Sequence, residues 1–163
     1  MNFNNMKNLV VLLISVFALS AFAQDINQAG DLFNEGNQAV KNNKFEVAIE
    51  KYTEAMEVAE KVGPEGEMIV INAQSQIPQL YYKLGVTDFK SKKIDKAITE
   101  FENAIEYGKK YNDPGTVEKA KATIPKLYYS KGATAYKNKK YEDALSNYQK
   151  AVDYNPEYSR AYY

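Results

Sequence analysis

The stretch that decides the fold is Leu127–Pro156, LYYSKGATAYKNKKYEDALSNYQKAVDYNP. It reads as two short amphipathic helices joined by a lysine-rich turn. Gly132 falls midway along the first helix, where glycine costs about 1 kcal/mol relative to alanine. A helix carries that cost where another backbone must come close. Ala144 and Ala151 lie seven apart on the second helix and share one face, with Tyr148 on the same stripe. Small residues on facing sides let two helices approach, and the tyrosine fills the space beside them. Tyr141 opens the second helix, and Asn155-Pro156 closes it by turn chemistry.

The same landmarks occur three times. The glycines are Gly36, Gly85 and Gly132. Ala48, Ala97 and Ala144 follow them by twelve, and Ala55, Ala104 and Ala151 by nineteen. Tyr52, Phe101 and Tyr148 follow by sixteen, and Phe45, Ile94 and Tyr141 by nine. Leu32, Tyr81 and Tyr128 precede by four. Agreement at this many fixed offsets marks an internal repeat rather than a single motif.

This order of aromatic, glycine, alanine, aromatic, alanine and proline resembles the tetratricopeptide repeat. The resemblance covers nearly all of the chain after residue 24. Three departures stand out. Only the third copy has the closing proline, Pro156; the leucine usual before the glycine is present only as Leu84, against Glu35 and Lys131; and Asp88 takes a usually apolar place. The fold expected is all-α: a right-handed α-solenoid of stacked antiparallel helix pairs. Repeats are expected near 29–62, 65–111 and 114–156, with a partial fourth over 157–163, where Tyr162 falls thirty-four after Tyr128. On this reading the chain is a fragment of a longer protein.

The spacing between copies is too long for the basic unit. The glycines are 49 and 47 residues apart, against a family period of about 34. The two inserts are themselves related: Ile77-Pro78-Gln79-Leu80-Tyr81-Tyr82 matches Ile124-Pro125-Lys126-Leu127-Tyr128-Tyr129. Before each lies a helix-compatible run, Glu65–Gln76 and Thr116–Thr123. Each insert reads as an extension of the repeat's first helix, kinked at the proline. The alternative is a separate short helix ending before it. Asp25 is a candidate cap for a first helix over about 26–42. Phe45 starts the next helix, which runs to about Val62. Turns are expected at Gly63-Pro64 with Gly66, and at Tyr111-Asn112-Asp113-Pro114-Gly115.

Residues 1–23 read as a secretory signal peptide. Lys7 is their only charge, Leu9–Ala23 is an uncharged apolar stretch, and Ala21-Phe22-Ala23 forms a small-x-small cleavage site before Gln24. The alternative is an uncleaved anchor, for which the run is shorter than the roughly 20 residues a span needs. No cysteine follows the run, so a lipoprotein is excluded. The mature domain, 24–163, is expected to be exported, periplasmic or extracellular.

Composition removes whole classes of chemistry. The 163 residues hold 21 basic and 21 acidic side chains, no cysteine and no histidine. Net neutrality gives no global field for nucleic acid. Without cysteine there is no disulfide, thiolate nucleophile or thiolate metal site. Without histidine the commonest general base and metal ligand is gone. There is no glycine-rich phosphate loop or nucleophile elbow. Glu46, Glu50, Glu54, Glu57 and Glu60 read as a solvated helix face rather than a metal site, since no turn clusters them as a calcium loop does. No catalytic residue, cofactor or metal is assigned, and no enzyme is expected.

Two surfaces remain. Lys41 and Lys44, then Lys90, Lys92 and Lys93, then Lys137, Lys139 and Lys140 hold equivalent turns. They either form a basic ridge, able to meet an anionic partner or headgroups, or simply complement helix dipoles at about 0.3–1 kcal/mol each. The second surface is aromatic. The two rings of each Tyr-Tyr pair are about 100° apart around the helix, so Tyr82 and Tyr129 are expected to face away from their own repeat's second helix. Phe89 and Tyr136, seven further on, share their stripe. In the resembled family this stripe lines a concave groove for extended peptides or helices. Carried over by position, the groove comprises Phe33, Asn37, Lys41, Tyr82, Val86, Phe89, Lys90, Lys126, Tyr129, Ala133, Tyr136 and Lys137. The competing reading spends the same rings on packing between repeats. Asn37 and Lys126 match two of five carboxylate-clamp positions of family members, but Phe33, Lys83 and Ser130 replace the other three, so no clamp is expected.

These residues point to noncatalytic binding of a protein or peptide partner outside the cytoplasm, in an aromatic groove rimmed by lysine. The alternatives are an extracytoplasmic sensor portion of a longer signalling protein and a self-associating scaffold. Membrane contact is expected only by association.

Overall fold

The computed structural model describes residues 25–156. It contains six α-helices there: α1 (25–41), α2 (Phe45–Val62), α3 (Glu67–Lys90), α4 (Ile94–Lys110), α5 (Pro114–Lys137) and α6 (Tyr141–Tyr154). A 3-10 turn, Pro64–Gly66, precedes α3. The fold is all-α and built of helix pairs: α1 with α2, α3 with α4, α5 with α6. The proposed signal peptide and the partial fourth repeat lie outside the described residues. Asp25, expected as the cap of the first helix, is itself helical.

The chain divides into two compact units, Met1–Gln74 and Ser75–Tyr163. The division falls inside α3, next to a gap in its hydrogen bonding. Pro78 has no N–H to donate to the carbonyl of Gln74.

Both inserts are helix extensions. α3 and α5 each run 24 residues, with Pro78 and Pro125 in their interiors. The lost bond is offset by burial, because both proline rings are among the most fully buried side chains of the chain. At the head of α5, Asp113 accepts a hydrogen bond from the Thr116 N–H at 3.0 Å and Pro114 occupies the first turn. That is standard helix-start chemistry. Thus Pro114-Gly115, expected in the turn, belongs to the helix: the missing proline donor costs nothing at a helix start. Gly63, at φ 87°, ends the α2 turn, and Gly66 lies against the carbonyl of Ala59, which an added Cβ would meet at 2.1 Å.

The turn within each pair follows one design. Asn43, Lys92 and Lys139 hold left-handed φ values of 55°, 60° and 62°. The next N–H reaches back five residues: Lys44 to Ala39 at 2.9 Å, Lys93 to Asp88 at 2.9 Å and Lys140 to Ala135 at 3.0 Å. These are Schellman caps, so the lysine-rich turns are helix ends with a fixed backbone.

Within each pair the glycine takes the ring sixteen residues on. A Cβ built on Gly36 would lie 2.7 Å from Tyr52, one on Gly85 2.8 Å from Phe101, and one on Gly132 2.6 Å from Tyr148. The close approach is ring on backbone, with the alanines Ala48, Ala55, Ala97, Ala104, Ala144 and Ala151 buried alongside. In the second unit one core joins α4 and α5: Ala97, Ile98, Phe101 and Ala104 pack with Ala120, Ile124 and Leu127. Asp88 is buried at a place held by alanine in the other copies. Its charge is met by the ammonium of Lys96 at 3.3 Å and that of Lys93 at 3.9 Å.

Tyr81 stacks on Tyr107 with ring centroids 4.9 Å apart. Burial, then the neighbouring Tyr107 phenol, pushes its hydroxyl up to about 12 from the usual 10. The folded state therefore favours the neutral phenol. This contribution is complete below pH 10 and is lost as pH rises through about 12, because the unfolded chain ionises first. Stability of the native chain should fall across that window. Tyr81→Phe should flatten the fall, as measured by urea midpoints at its two ends.

Candidate interaction site

Each expected groove tyrosine proves to be half of a ring pair. Tyr82 meets Phe101 with centroids 5.2 Å apart, and Tyr129 meets Tyr148 at 5.5 Å. In the first unit Phe33 meets Tyr52 at 5.1 Å. So Tyr82 and Tyr129 do not turn away from their own repeat's second helix. Their partners Tyr81 and Tyr128 touch it as well, through Tyr107 and through Tyr154 at 5.7 Å. The 100° argument fails because it treats rings as directions from the helix axis. The ring lying over the glycine is wide enough for a side chain three residues earlier to reach its edge.

Phe33, Tyr82 and Tyr129 remain half-buried. Asn37 is also half-buried, and its side-chain carbonyl accepts a hydrogen bond from the Tyr52 hydroxyl at 2.7 Å. Val86 is half-buried against the α4–α5 core, and Ala133 is half-buried on α5. The remaining expected residues are open to solvent. Phe89 is 46% exposed and Tyr136 60%, and Lys41, Lys90, Lys126 and Lys137 are exposed. Tyr136 also meets Tyr141 edge-on at 5.6 Å, across the turn from α5 to α6. In the second unit, exposed Phe89-Lys90 and Tyr136-Lys137 thus recur at matching places on α3 and α5. The first-unit residues Phe33, Asn37 and Lys41 stand by themselves in the other unit.

Two clefts of the second unit involve residues that sequence reasoning did not single out for binding. One, of about 330 Å3, lies between α3 and the head of α5 and brings Tyr82 together with Gln79, Lys83, Asp113, Thr116 and Lys119. The other, of about 510 Å3, joins Lys92, Asp95, Lys131, Lys140 and Asp143. Lys131 donates to the carboxylate of Asp95 there. Both clefts carry mixed charge, as a polar rim does. The first depends on the extension of α5 lying beside α3, which no local motif announces.

Among the described residues no group of three or more acidic side chains is placed to hold a metal ion. No described helix is long and apolar enough to cross a membrane.

The tetratricopeptide repeat family matches this chain twice, over residues 78–110 and 125–158. Over those residues the chain carries tetratricopeptide repeats. Each match begins at a helix-internal proline, Pro78 or Pro125, so the preceding part of α3 and of α5 lies ahead of the family's unit. A search among curated proteins returns no significant match. Repeats of this family serve as scaffolds for protein–protein interaction.

Proposed function

We propose that this chain is a noncatalytic module that binds an extended peptide or amphipathic helix of a partner protein, outside the cytoplasm. The aromatic stripe of its first helices would form the floor. The observation that carries this reading is the recurrence of Phe89-Lys90 and Tyr136-Lys137. Large rings stand exposed at matching places on two helices of one unit, each followed by an exposed lysine. Isolated exposed rings are ordinary, whereas a periodic set with basic neighbours offers a partner apolar anchors and a charged rim. Half-buried Tyr82 and Tyr129 supply the floor, each with one side committed to the ring it meets, Phe101 or Tyr148. Lysines at the rim favour apolar segments with acidic flanks and speed their encounter.

Peptides selected from a random library against residues 24–163 should be apolar with acidic flanks. Phe89→Ala combined with Tyr136→Ala should weaken them by about tenfold or more with the melting midpoint unchanged. Undiminished affinity would count against the stripe, and a collapsed melt would assign both rings to the core. For the compartment, the apolar start and the Ala21-Phe22-Ala23 site support export. Protein recovered outside the cytoplasm should begin at Gln24; a start at Met1 would contradict cleavage.

A further inference from the structure

The cleft between α3 and the head of α5 adjoins the aromatic stripe. Tyr82 lines it, and Phe89 stands seven residues further along the same face of α3. Two exposed lysines line it from different helices, Lys83 of α3 and Lys119 of α5. Gln79 adds an amide, and Thr116, only 5% exposed, adds a buried polar residue. One carboxylate opposes the two ammonium groups. Asp113 accepts the Thr116 N–H through one oxygen, and its other oxygen is buried without a hydrogen-bond partner among the described residues. That carboxylate is thus turned into the head of α5, where the helix N-terminus offsets its charge. What the cleft offers a ligand is a positive balance, two lysines against one aspartate.

Repetition does not produce this site. One repeat earlier the places of Lys83 and Lys119 are held by Asn34 and Asn72, and one repeat later the place of Lys83 is held by Ser130. The head of α5 also lies outside both family matches, one of which ends at residue 110 while the other begins at 125. A stripe of rings that recurs from repeat to repeat would accept an apolar segment in more than one register. A charged cleft that does not recur fixes one of them.

We infer that this cleft receives an aspartate or glutamate side chain of a partner peptide bound on the stripe, held between Lys83 and Lys119 by charge-assisted hydrogen bonds. The inference rests on the peptide-binding reading above. From Tyr82 to Phe89 α3 rises by about 10 Å, which an extended peptide spans in about three residues. The acidic residue therefore stands about three positions from the apolar residue seated on Phe89. Neither end of this chain outside the described residues carries that pattern. Residues 1–24 hold no acidic side chain. Glu157 has Arg160 three positions after it, and three before it Tyr154, whose hydroxyl already donates to Glu102.

The test uses the full chain at physiological salt, where distant charges are screened, and peptides selected on it from a random library. Selected peptides should share an acidic residue about three positions from an apolar one. Lys83→Gln combined with Lys119→Gln should weaken such a peptide by about fivefold or more. The same peptide with its acid changed to the amide should bind both chains alike. Asp113→Asn keeps the helix cap and removes the opposing charge, so the acidic peptide should bind it more tightly. Lys109→Gln with Lys121→Gln, a pair that lines a different cleft, should change nothing. An equal loss at that second pair would reduce the effect to overall charge and overturn the site. Weaker binding to Asp113→Asn would mean that the cleft takes a hydrogen-bond donor, which also overturns it. Selected peptides that lack the acid, or that keep full affinity for the chain without Lys83 and Lys119, would overturn this inference and leave the groove standing. If no peptide is selected at all, the groove reading falls and the inference with it.

Discussion

Phe101→Ala is expected to lower stability by about 3–5 kcal/mol, the largest loss of any single truncation in the second unit. Phe101 is fully buried, lies on Gly85, meets the edge of Tyr82 and belongs to the core shared by α4 and α5. Its removal therefore opens a cavity in two places, inside one helix pair and between that pair and the next. Cavities of this kind collapse poorly, because the helices on either side are held by other contacts. The equivalent Tyr148→Ala should cost less, since Tyr148 is only half-buried. Urea unfolding followed by circular dichroism measures both. Equal losses at the two positions would mean that burial between repeats adds nothing to the ring's role within one.

The second large effect concerns sign. Gly→Ala inside a helix ordinarily stabilises by about 1 kcal/mol. Gly30, on α1, has nothing within 4 Å of an added Cβ, so Gly30→Ala should raise stability by about 0.5–1 kcal/mol. Gly85 faces the ring of Phe101, with three ring carbons at 2.8–3.0 Å from the same added atom. A fully buried ring cannot move aside cheaply, so overpacking of about 1–3 kcal/mol outweighs the helix propensity. Gly85→Ala should destabilise, and Gly85→Leu should do so by more. Two identical substitutions in two helices of one chain thus move the unfolding midpoint in opposite directions. A stabilising Gly85→Ala would show that the helix pair is looser than the ring contact implies.

Much of this fold is readable in the residues. Gly36, Gly85 and Gly132, with the alanines and aromatics at fixed offsets, specify three helix pairs because the same packing problem is solved three times. The extensions before Pro78 and Pro125 are readable too: both stretches lack turn chemistry and keep an apolar ridge through the proline. Other features leave little trace. Lys92 and Lys139 adopt left-handed backbone although lysine gives no local hint of it; only Asn43 at the matching turn does. The orientation of Tyr82 and Tyr129 cannot be taken from helical angle alone, because a ring's reach exceeds the offset between neighbouring positions. Asp88, out of place among alanines, is explained only when Lys93 and Lys96 come round from α4 and its preceding turn. For the candidate site, Phe89 and Tyr136 could be picked out from periodicity. The contribution of Lys83 and Lys119 to the neighbouring cleft could not, because it depends on two helices lying side by side.

The fit of ring to glycine organises every repeat and fixes which aromatic faces are left for a partner. A double-mutant cycle between Gly85 and Phe101 tests it most directly. Gly85→Ala is measured by urea unfolding in the native chain and again in a Phe101→Leu background, where the ring is gone. The contact predicts that the penalty of Gly85→Ala shrinks by about 1 kcal/mol or more in that background, within the range seen for touching residues. An identical effect of Gly85→Ala in both backgrounds, to within about 0.3 kcal/mol, would contradict it.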